Sequence, residues 1–246
     1  KRALTSILEC KEENFEIILC SDDSCPKTIE VAKTMLRSQD SFIRIPAMRG
    51  PAESRNIGAK ISRGKWIVFL DDDDTFSNQY ISNLLKLLPN EKNKVIFFNY
   101  KKCIEKRIES EIEIIRSKIK DISSININKL YIKNFIPIHT MVISSELFFK
   151  HKFDARLQSH EDWDLLISLL SSSVDFEWMD CKNESPIVHI CSSKTTRNHS
   201  SNTALDFLSI YRKWPNSDQS IRKSRAKQLK KLGISRFGLR IDENIL

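Results

Sequence analysis

Four consecutive aspartates, Asp71 to Asp74, directly follow an apolar run at residues 66–70 (WIVFL). Carboxylates a few ångströms apart repel one another, and this repulsion raises their pKa values unless a cation neutralises them. Carboxylate oxygens are also preferred ligands of Mg²⁺ and Mn²⁺, usually together with the phosphate oxygens of a substrate. The run therefore indicates a site for a divalent cation and a phosphorylated ligand. The alternative is a solvated acidic turn with helix-capping aspartates.

A second acidic cluster follows an earlier apolar run. Asp22 and Asp23 come after residues 15–20 (FEIILC), an isoleucine-rich segment typical of a strand buried on both faces. In α/β proteins with a mostly parallel sheet, ligands bind beyond the carboxyl ends of the strands. Both acidic clusters fall at such ends, which is the strongest argument from the residues alone for a ligand site.

The elements that would position these aspartates alternate between strand and helix through the first hundred residues. This alternation favours βαβ units and an α/β fold. Segment 104–119 has an ambiguous periodicity. The predicted strands are 15–20, 41–45, 66–70, 95–100, 140–143, 176–181 and 187–191. The predicted helices are 1–10, 29–36, 51–61, 77–88, 145–150, 162–170, 204–211 and 221–232.

Composition excludes several classes of protein. The chain has 246 residues and is 40% hydrophobic, which supports a packed core and argues against wholesale disorder. With 5 glycines and 7 prolines, it is neither collagen-like nor of low complexity. No apolar run approaches the roughly 20 residues that span a bilayer, and residues 1–10 lack a secretory signal pattern.

The 6 cysteines form no C-x2-C pair and are irregularly spaced, so we expect reduced thiols in a cytoplasmic protein. A zinc site could be drawn from Cys20 and Cys25. Another could be drawn from Cys181, His189, Cys191 and His199, but neither group has finger or ribbon spacing.

The net charge of +8 favours anionic partners and is concentrated near the carboxyl terminus, where residues 212–240 hold ten Lys or Arg and one acid. Two interpretations of the basic segment 216–240 stay open. It could contact the anionic inner face of the cytoplasmic membrane, or it could form a solvated helix packed against the domain. We predict no nucleic-acid binding, because the segment lacks interleaved aromatic residues.

Several short motifs occur in an order and spacing shared with a known family. Arg55-Asn56-Ile57-Gly58 precedes the strand that ends in LDDDD, and SDDS closes an earlier strand. A later Glu161-Asp162 stands in the run HEDWD. Across residues 1–200 these motifs resemble the family 2 glycosyltransferases of GT-A fold.

The resemblance implies how a nucleotide sugar would be held. Asp22 would bind uracil or ribose, with Asp23 as the alternative because the two adjacent aspartates allow two alignments. Arg55 would lie near the base or the phosphates. His139 belongs to a segment that resembles one flanking the sugar pocket.

The resemblance also implies a metal. Asp71 and Asp73 form the family's D-x-D pair, and Asp73 would bind the Mn²⁺ or Mg²⁺ that bridges the diphosphate. Asp71 or Asp72 would approach the ribose or the metal. His199 is a further candidate metal ligand.

The catalytic residues implied by the resemblance are Glu161 and Asp162, with Asp162 as the base. Neighbouring carboxylates should raise the pKa of Asp162, whereas its place at a helix start should lower it. In the family a late histidine or arginine often closes over the diphosphate. Arg197 and His199 are the candidates here, while His189 is better explained as a structural residue of a strand.

The chain departs from the family pattern in two ways. The family opens with an apolar strand, whereas this chain starts at the helix that follows it, so we expect the first strand to be absent from the chain. The glycine of the family's DDGS is replaced by Asp23 or Ser24. We predict a GT-A domain with a central mixed sheet at 1–212 and a basic helical tail at 213–246.

The implied activity is an inverting, metal-dependent transfer of a hexose or N-acetylhexosamine from a UDP-sugar to a glycan hydroxyl. The implied setting is bacterial surface polysaccharide synthesis: O-antigen, capsule or lipooligosaccharide. One alternative is a catalytically silent sugar-nucleotide-binding module, but D-x-D and Glu161-Asp162 are both intact. Another is a metal-dependent nucleotidyltransferase, which would usually carry a glycine-rich phosphate loop near its start; residues 1–60 contain none.

Overall fold

A computed structural model describes residues 1–22, 25–46, 49–91, 93–108, 111–157, 159–192 and 203–242. The helices are α1 (Arg2–Leu8), α2 (Pro26–Met35), α3 (Pro51–Ile61), α4 (Tyr80–Leu87), α5 (Ser145–His151), α6 (Glu161–Ser171), α7 (Thr203–Lys213) and α8 (Gln219–Lys231). The strands are β1 (Ile18–Ser21), β2 (Ser41–Arg44), β3 (Trp66–Val68), β4 (Thr75–Phe76), β5 (Lys94–Phe97), β6 (Tyr100–Ile108), β7 (Glu111–Lys120), β8 (Met141–Ser144), β9 (Asp175–Trp178) and β10 (Pro186–Cys191). The predicted α/β class is confirmed.

The strands form three sheets. The central one is mixed, in the order β3-β8-β5-β9, with β8 antiparallel to β3 and β5 and with β9 parallel to β5. Parallel β1 and β2 form a second sheet, and β4-β10-β6-β7 form a third. The acidic turn at residues 71–74 follows the carboxyl end of β3, and Asp22 follows the carboxyl end of β1.

The central sheet is covered on both faces, as the apolar runs in its strands require. Alternate residues of β5 and β8 point to opposite sides. Val95 and Ile143 join a cluster with residues of α3, α5 and α6. Ile96 and Val142 join a second cluster with residues of α4. The result is a helix–sheet–helix sandwich with the acidic turn after β3 at its edge.

Several predicted element ends differ from the observed ones, and two of these differences have identifiable reasons. The first strand was predicted from residue 15, but β1 begins at Ile18, because the Ile17 N–H donates to the Asp40 carboxylate (2.9 Å) instead of to a strand. A helix was predicted over residues 77–88, but α4 begins at Tyr80, and Ser77 does not cap it. Instead the hydroxyl of Ser77 accepts the N–H of Ser185 at 2.8 Å, and Gln79 occupies the cap position.

The basic segment packs back on the domain through α8. Ala226 and Leu229 of α8 share a hydrophobic cluster with Tyr211 of α7 and Trp163 of α6. Buried Arg225 donates from Nε to the carbonyl of Tyr131 at 2.8 Å and lies over the ring of Tyr211. This is the packed-helix alternative, while the predicted boundary between residues 212 and 213 stays a prediction. In the ranges that the structure describes, no helix is both long and apolar enough to cross a bilayer.

Segment 104–119, whose periodicity was ambiguous, forms most of an antiparallel hairpin of β6 and β7. β6 pairs with β10 along its other edge, whereas β7 is the outer strand of the sheet. The register shifts by one residue opposite Ile104 and Glu105, which marks a β-bulge in β7.

Candidate active site

The acidic residues after β3 form a tight turn, closed by the N–H of Asp74 donating to the carbonyl of Asp71 at 3.2 Å. Asp72 and Asp73 are exposed, and Asp71 is partly exposed. Asp74 is buried and points inward. The four aspartates therefore divide into three that face solvent and one that fixes the turn to the protein.

Arg55 of α3 joins the acidic turn to the Glu161-Asp162 pair. Its Nη2 donates to Oδ1 of Asp71 at 2.6 Å, and its Nη1 donates to Oε1 of Glu161 at 2.7 Å. Burial alone would lower the pKa of Arg55, but the carboxylates of Asp71 and Glu161 raise it. Three motifs that are far apart in the sequence thus meet at one guanidinium.

Asp162 lies in the first turn of α6 and is held through both carboxylate oxygens. Oδ2 accepts the side-chain N–H of Asn134 at 2.8 Å, and Oδ1 accepts the backbone N–H of Trp163 at 2.7 Å. Burial, and next the charge of Glu161, raise the pKa of Asp162 to about 6. These effects outweigh the lowering influence of Arg55 and of the Trp163 N–H. A carboxyl group with this pKa is ionised at neutral pH and can still accept a proton.

The third acid of the HEDWD run has a different environment. Asp164 is buried and accepts hydrogen bonds from Lys213 Nζ and Trp214 Nε1, each at 2.8 Å. These partners belong to the end of α7 and the residue that follows it. Asp164 therefore ties the C-terminal helices to α6.

Two histidines flank the buried carboxylate of Asp74. The backbone N–H of His189 donates to Oδ1 at 2.8 Å, and Nδ1 of His139 lies 3.1 Å from Oδ2. Burial, followed by the charges of Asp73 and Asp71, raises the pKa of Asp74 to about 7. Burial lowers the pKa of His139 to about 4, so its imidazole is neutral at pH 7. His139 lies behind the acidic turn, and its predicted sugar-pocket role stays a prediction.

A second buried acid supports the same turn. Glu105 of β6 accepts from Nη1 of Arg2 at 2.8 Å, and its Oε2 lies 3.1 Å from Nδ1 of His189. Nη2 of Arg2 reaches the carbonyl of Asp73 at 2.6 Å, and Nε2 of His189 lies 2.8 Å from the hydroxyl of Thr75. Both ring nitrogens of His189 are thus engaged, in agreement with its structural interpretation.

Sequence reasoning missed three of these supporting residues. Arg2, Glu105 and Asn134 belong to no motif, and each makes its contact across more than twenty residues of sequence. Glu105 also lay in the segment of ambiguous periodicity. The one available signal was a lone acid in an otherwise apolar and basic strand, which called for a buried partner.

The remaining predicted site residues have no observed place in the cluster around Arg55. Asp22 directly follows β1 and, among the described residues, lies outside the Arg55 cluster. Asp23, Arg197 and His199 fall outside the described residues, so their predicted roles stay predictions.

The donor set of the turn is suited to a divalent cation held jointly with a substrate. Asp73 and Asp72 present exposed carboxylates, and Asp71 lies beside them. Mg²⁺ is commonly bound by one or two carboxylates together with substrate phosphates. No group of three or more potential metal ligands forms within the described ranges. The exposed carboxylates of the turn fit a shared site of this kind, and the assignment of Asp73 and Asp71 as its protein ligands stays a prediction.

Comparisons with known proteins agree with the geometry. The sequence profile described as "Glycosyl transferase family 2" matches residues 1–151, a match that ends before Glu161 and Asp162. An uncharacterised glycosyltransferase of Haemophilus influenzae is 30% identical over 169 residues, which cover 68% of this chain and 56% of that protein. The Escherichia coli "UDP-Glc:alpha-D-GlcNAc-diphosphoundecaprenol beta-1,3-glucosyltransferase WfaP" is 35% identical over 95 residues, covering 39% of this chain and 37% of that one.

The solved structure of S. aureus TarS residues 1–349 in complex with UDP-GlcNAc superposes with a TM-score of 0.61 at 15% identity. The superposition covers 98% of this chain and 72% of that one, and it shows the fold alone. The chain spans 56% of the Haemophilus influenzae relative and 24% of a Rickettsia bellii relative. The extent of the profile match and the shared α/β fold of GT-A type lead to one conclusion: the chain belongs to glycosyltransferase family 2.

Proposed function

We propose that the protein transfers a hexose or N-acetylhexosamine from a UDP-sugar to a hydroxyl group of a glycan, with inversion at the anomeric carbon. The observation that carries this proposal is Arg55, which binds both Asp71 of the acidic turn and Glu161 beside Asp162. That bridge brings the acidic turn close to the Glu161-Asp162 pair, which supports binding of a nucleoside diphosphate beside a base. The UDP-GlcNAc named in the TarS complex and the UDP-Glc named for WfaP support a UDP-sugar donor.

In the proposed mechanism Asp162 removes the proton from the acceptor hydroxyl as that oxygen attacks the anomeric carbon. Asn134 and the Trp163 N–H fix the orientation of the carboxylate, so that it need not reorganise during the reaction. A single displacement of this kind converts an α-linked donor into a β-glycoside. Glu161, held by Arg55, orients Asp162 or contacts the acceptor.

The acidic turn and Arg55 act on the donor. Asp73 and Asp71 would hold Mn²⁺ or Mg²⁺, which when bound supplies positive charge for the diphosphate leaving group. Arg55 contributes a guanidinium that is buried on one side by the ring of Phe153. The network of Arg2 and Glu105 keeps the carbonyl of Asp73 in place, so the turn is preorganised.

We further propose that the acceptor is a glycan of bacterial surface polysaccharide synthesis at the inner face of the cytoplasmic membrane. The diphosphoundecaprenol named for WfaP and the teichoic acid synthesis named for Bacillus subtilis GgaB support a lipid-linked or surface glycan. On this chain Lys223, Lys227 and Lys230 are exposed along α8, with Phe237 and Leu239 exposed beyond it. Basic side chains beside exposed apolar ones suit an anionic lipid surface.

The membrane proposal is tested by charge reversal, because deleting residues 216–246 would expose the cluster that α8 shares with Trp163. Changing Lys223, Lys227 and Lys230 together to glutamate should abolish co-sedimentation with anionic liposomes at low salt. Transfer to a soluble acceptor should continue. The same three changes at Lys11, Lys33 and Lys60, which are also exposed, provide the control. Equal liposome binding by the α8 variant would exclude this surface as the anchor.

The enzymatic proposal is tested by measuring UDP release from a panel of nucleotide sugars in the presence of glycan acceptors. Acceptor-dependent UDP release from a UDP-sugar is expected. Binding of a UDP-sugar without release would indicate the silent binding module. Pyrophosphate release from a nucleoside triphosphate would indicate the nucleotidyltransferase.

A further inference from the structure

The outer strand β7 exposes an apolar stripe. Ile112, Ile114 and Ile119 are 47%, 58% and 52% exposed, and Ile115 at the bulge is 54% exposed. Within the described ranges β7 pairs with β6 alone, so its other edge presents backbone N–H and C=O groups without a strand partner. A long edge strand with exposed isoleucines is a template for pairing with another strand.

The register of the hairpin fixes which side chains of β7 share a face, because residues opposite one another across a pair lie on the same face. Ile114 is opposite Glu105, Ser117 is opposite Cys103 and Ile119 is opposite Lys101. These residues, and Ile112 two positions before Ile114, lie on one face. The other face carries the charged residues of β7: Glu111, Glu113, Arg116, Lys118 and Lys120.

The bulge at Ile115 makes the strand self-complementary. With the bulge counted as one extra residue, an antiparallel pair of β7 strands can place Arg116 of each copy at a two-fold axis. Glu113 of one copy then faces Lys118 of the other, and Glu111 faces Lys120. On the opposite face Ile112 meets Ile119. Each charge pair occurs twice, so the alignment brings together four pairs of opposite charges, against one pair of like charges where the two Arg116 side chains meet at the axis.

We propose that β7 is the dimer interface of this protein, where it pairs antiparallel with β7 of a second copy across a two-fold axis. The acidic first half and the basic second half of the strand make a second copy the best match, because the same patch must complement itself in a two-fold interface. The pairing joins two four-stranded sheets into one continuous sheet and sets the apolar stripes of the two copies side by side, so that Ile112 of one copy contacts Ile119 of the other. Because β6 carries Glu105, the interface adjoins the strand that supports the acidic turn.

Sedimentation equilibrium over a range of protein concentrations measures the dimer. Glu113→Lys places like charges opposite each other twice in each dimer, and we expect the dissociation constant to rise about tenfold or more. Lys118→Glu should have the same effect. The double variant Glu113→Lys with Lys118→Glu exchanges the two charges and should restore the dissociation constant. Thermal unfolding of each variant reports whether the hairpin itself is intact.

Two further variants keep the test decisive. Ile114→Asp should weaken the dimer, whereas Ile61→Asp, at an isoleucine of α3 that is 44% exposed, should not. Arg116→Cys places two cysteines opposite each other at the axis, at a Cα spacing of about 5 Å that a disulfide accepts. We expect this variant, but not Lys118→Cys or the parent chain, to form a disulfide-linked dimer. A monomer at all concentrations, or a dimer that neither charge variant weakens, would overturn the proposal.

Discussion

Replacing Arg55 by methionine removes the cation between Asp71 and Glu161 while it keeps a side chain of similar reach. The side chain of Glu161 is 11% exposed, and removing one partner of a buried ion pair costs about 3–5 kcal/mol. The side chain of Asp71 is 39% exposed, so its pair contributes only about 0–1 kcal/mol. The Arg55–Glu161 pair lies at the rim of the site, so we take the lower end of the range for buried pairs. We therefore expect Arg55→Met to lower the free energy of unfolding by about 3 kcal/mol.

Thermal unfolding monitored by calorimetry measures this loss. In a chain of this size each kcal/mol shifts the Tm by about 2–4 °C, so a decrease of about 6–12 °C is expected. Adding Glu161→Gln to Arg55→Met should recover about half of the loss, because a neutral amide leaves no uncompensated buried charge. A Tm within about 2 °C of the parent chain, or no recovery in the double variant, would refute the inference that Arg55 neutralises Glu161.

Three further predictions concern the metal, the base and the support of the turn. EDTA should abolish transfer and added Mn²⁺ or Mg²⁺ should restore it, but not in Asp73→Ala; full activity in EDTA after dialysis would exclude a metal role for Asp73. Because the pKa of Asp162 in the ligand-free protein is raised to about 6 and a base must be ionised, kcat/KM should rise with pH through about 6 and then level off; a kcat/KM that stays constant from pH 5 to pH 7 would contradict this. Glu105→Gln should lower the free energy of unfolding by about 1–3 kcal/mol because it leaves Arg2 without its partner carboxylate, whereas Glu30→Gln, at an exposed position of α2, should change it by less than about 0.5 kcal/mol; equal effects of the two changes would argue against a supporting role for Glu105.

The centre of the site was predictable because its parts are local. An apolar strand followed by aspartates predicts a loop at the edge of a sheet. The spacing of the leucines after Asp164 predicts a helix, so that Glu161 and Asp162 fall at its start. The family resemblance placed Arg55 near the base or the phosphates, but it did not predict that Arg55 joins Asp71 to Glu161. No local pattern links positions so far apart, so this contact is a finding of the structure.

The hairpin was unpredictable from periodicity for a specific reason. Ile112 and Ile114 follow a period of two, but the bulge at Ile115 shifts the alternation, so that Ile119 returns to the same face. A strand with one inserted residue resembles neither a regular strand nor a helix in its hydrophobic pattern. The ambiguity of segment 104–119 therefore reflects a real irregularity of the backbone.

The supporting residues could not be predicted because their roles depend on tertiary pairing. Asn134 reaches Asp162 from a segment with little regular structure, and Arg2 reaches Glu105 across 103 positions of sequence. Whether the basic segment packs against the domain also depends on tertiary contacts. Its charge pattern left a membrane contact and a packed helix equally open, and Ala226 and Leu229 place one side of α8 in a core with Trp163.

The central claim is that Asp162 is the base beside a separate nucleotide site, and Asp162→Asn tests it most directly. The variant keeps the size of the side chain but cannot accept the proton, so kcat should fall by about 10²–10⁴-fold. Calorimetry should give nearly unchanged UDP affinity for Asp162→Asn, whereas Asp73→Ala should weaken UDP binding in the presence of Mn²⁺. An Asp162→Asn enzyme that keeps more than about a tenth of the parent kcat would contradict the assignment, since that loss is far smaller than losing a general base causes.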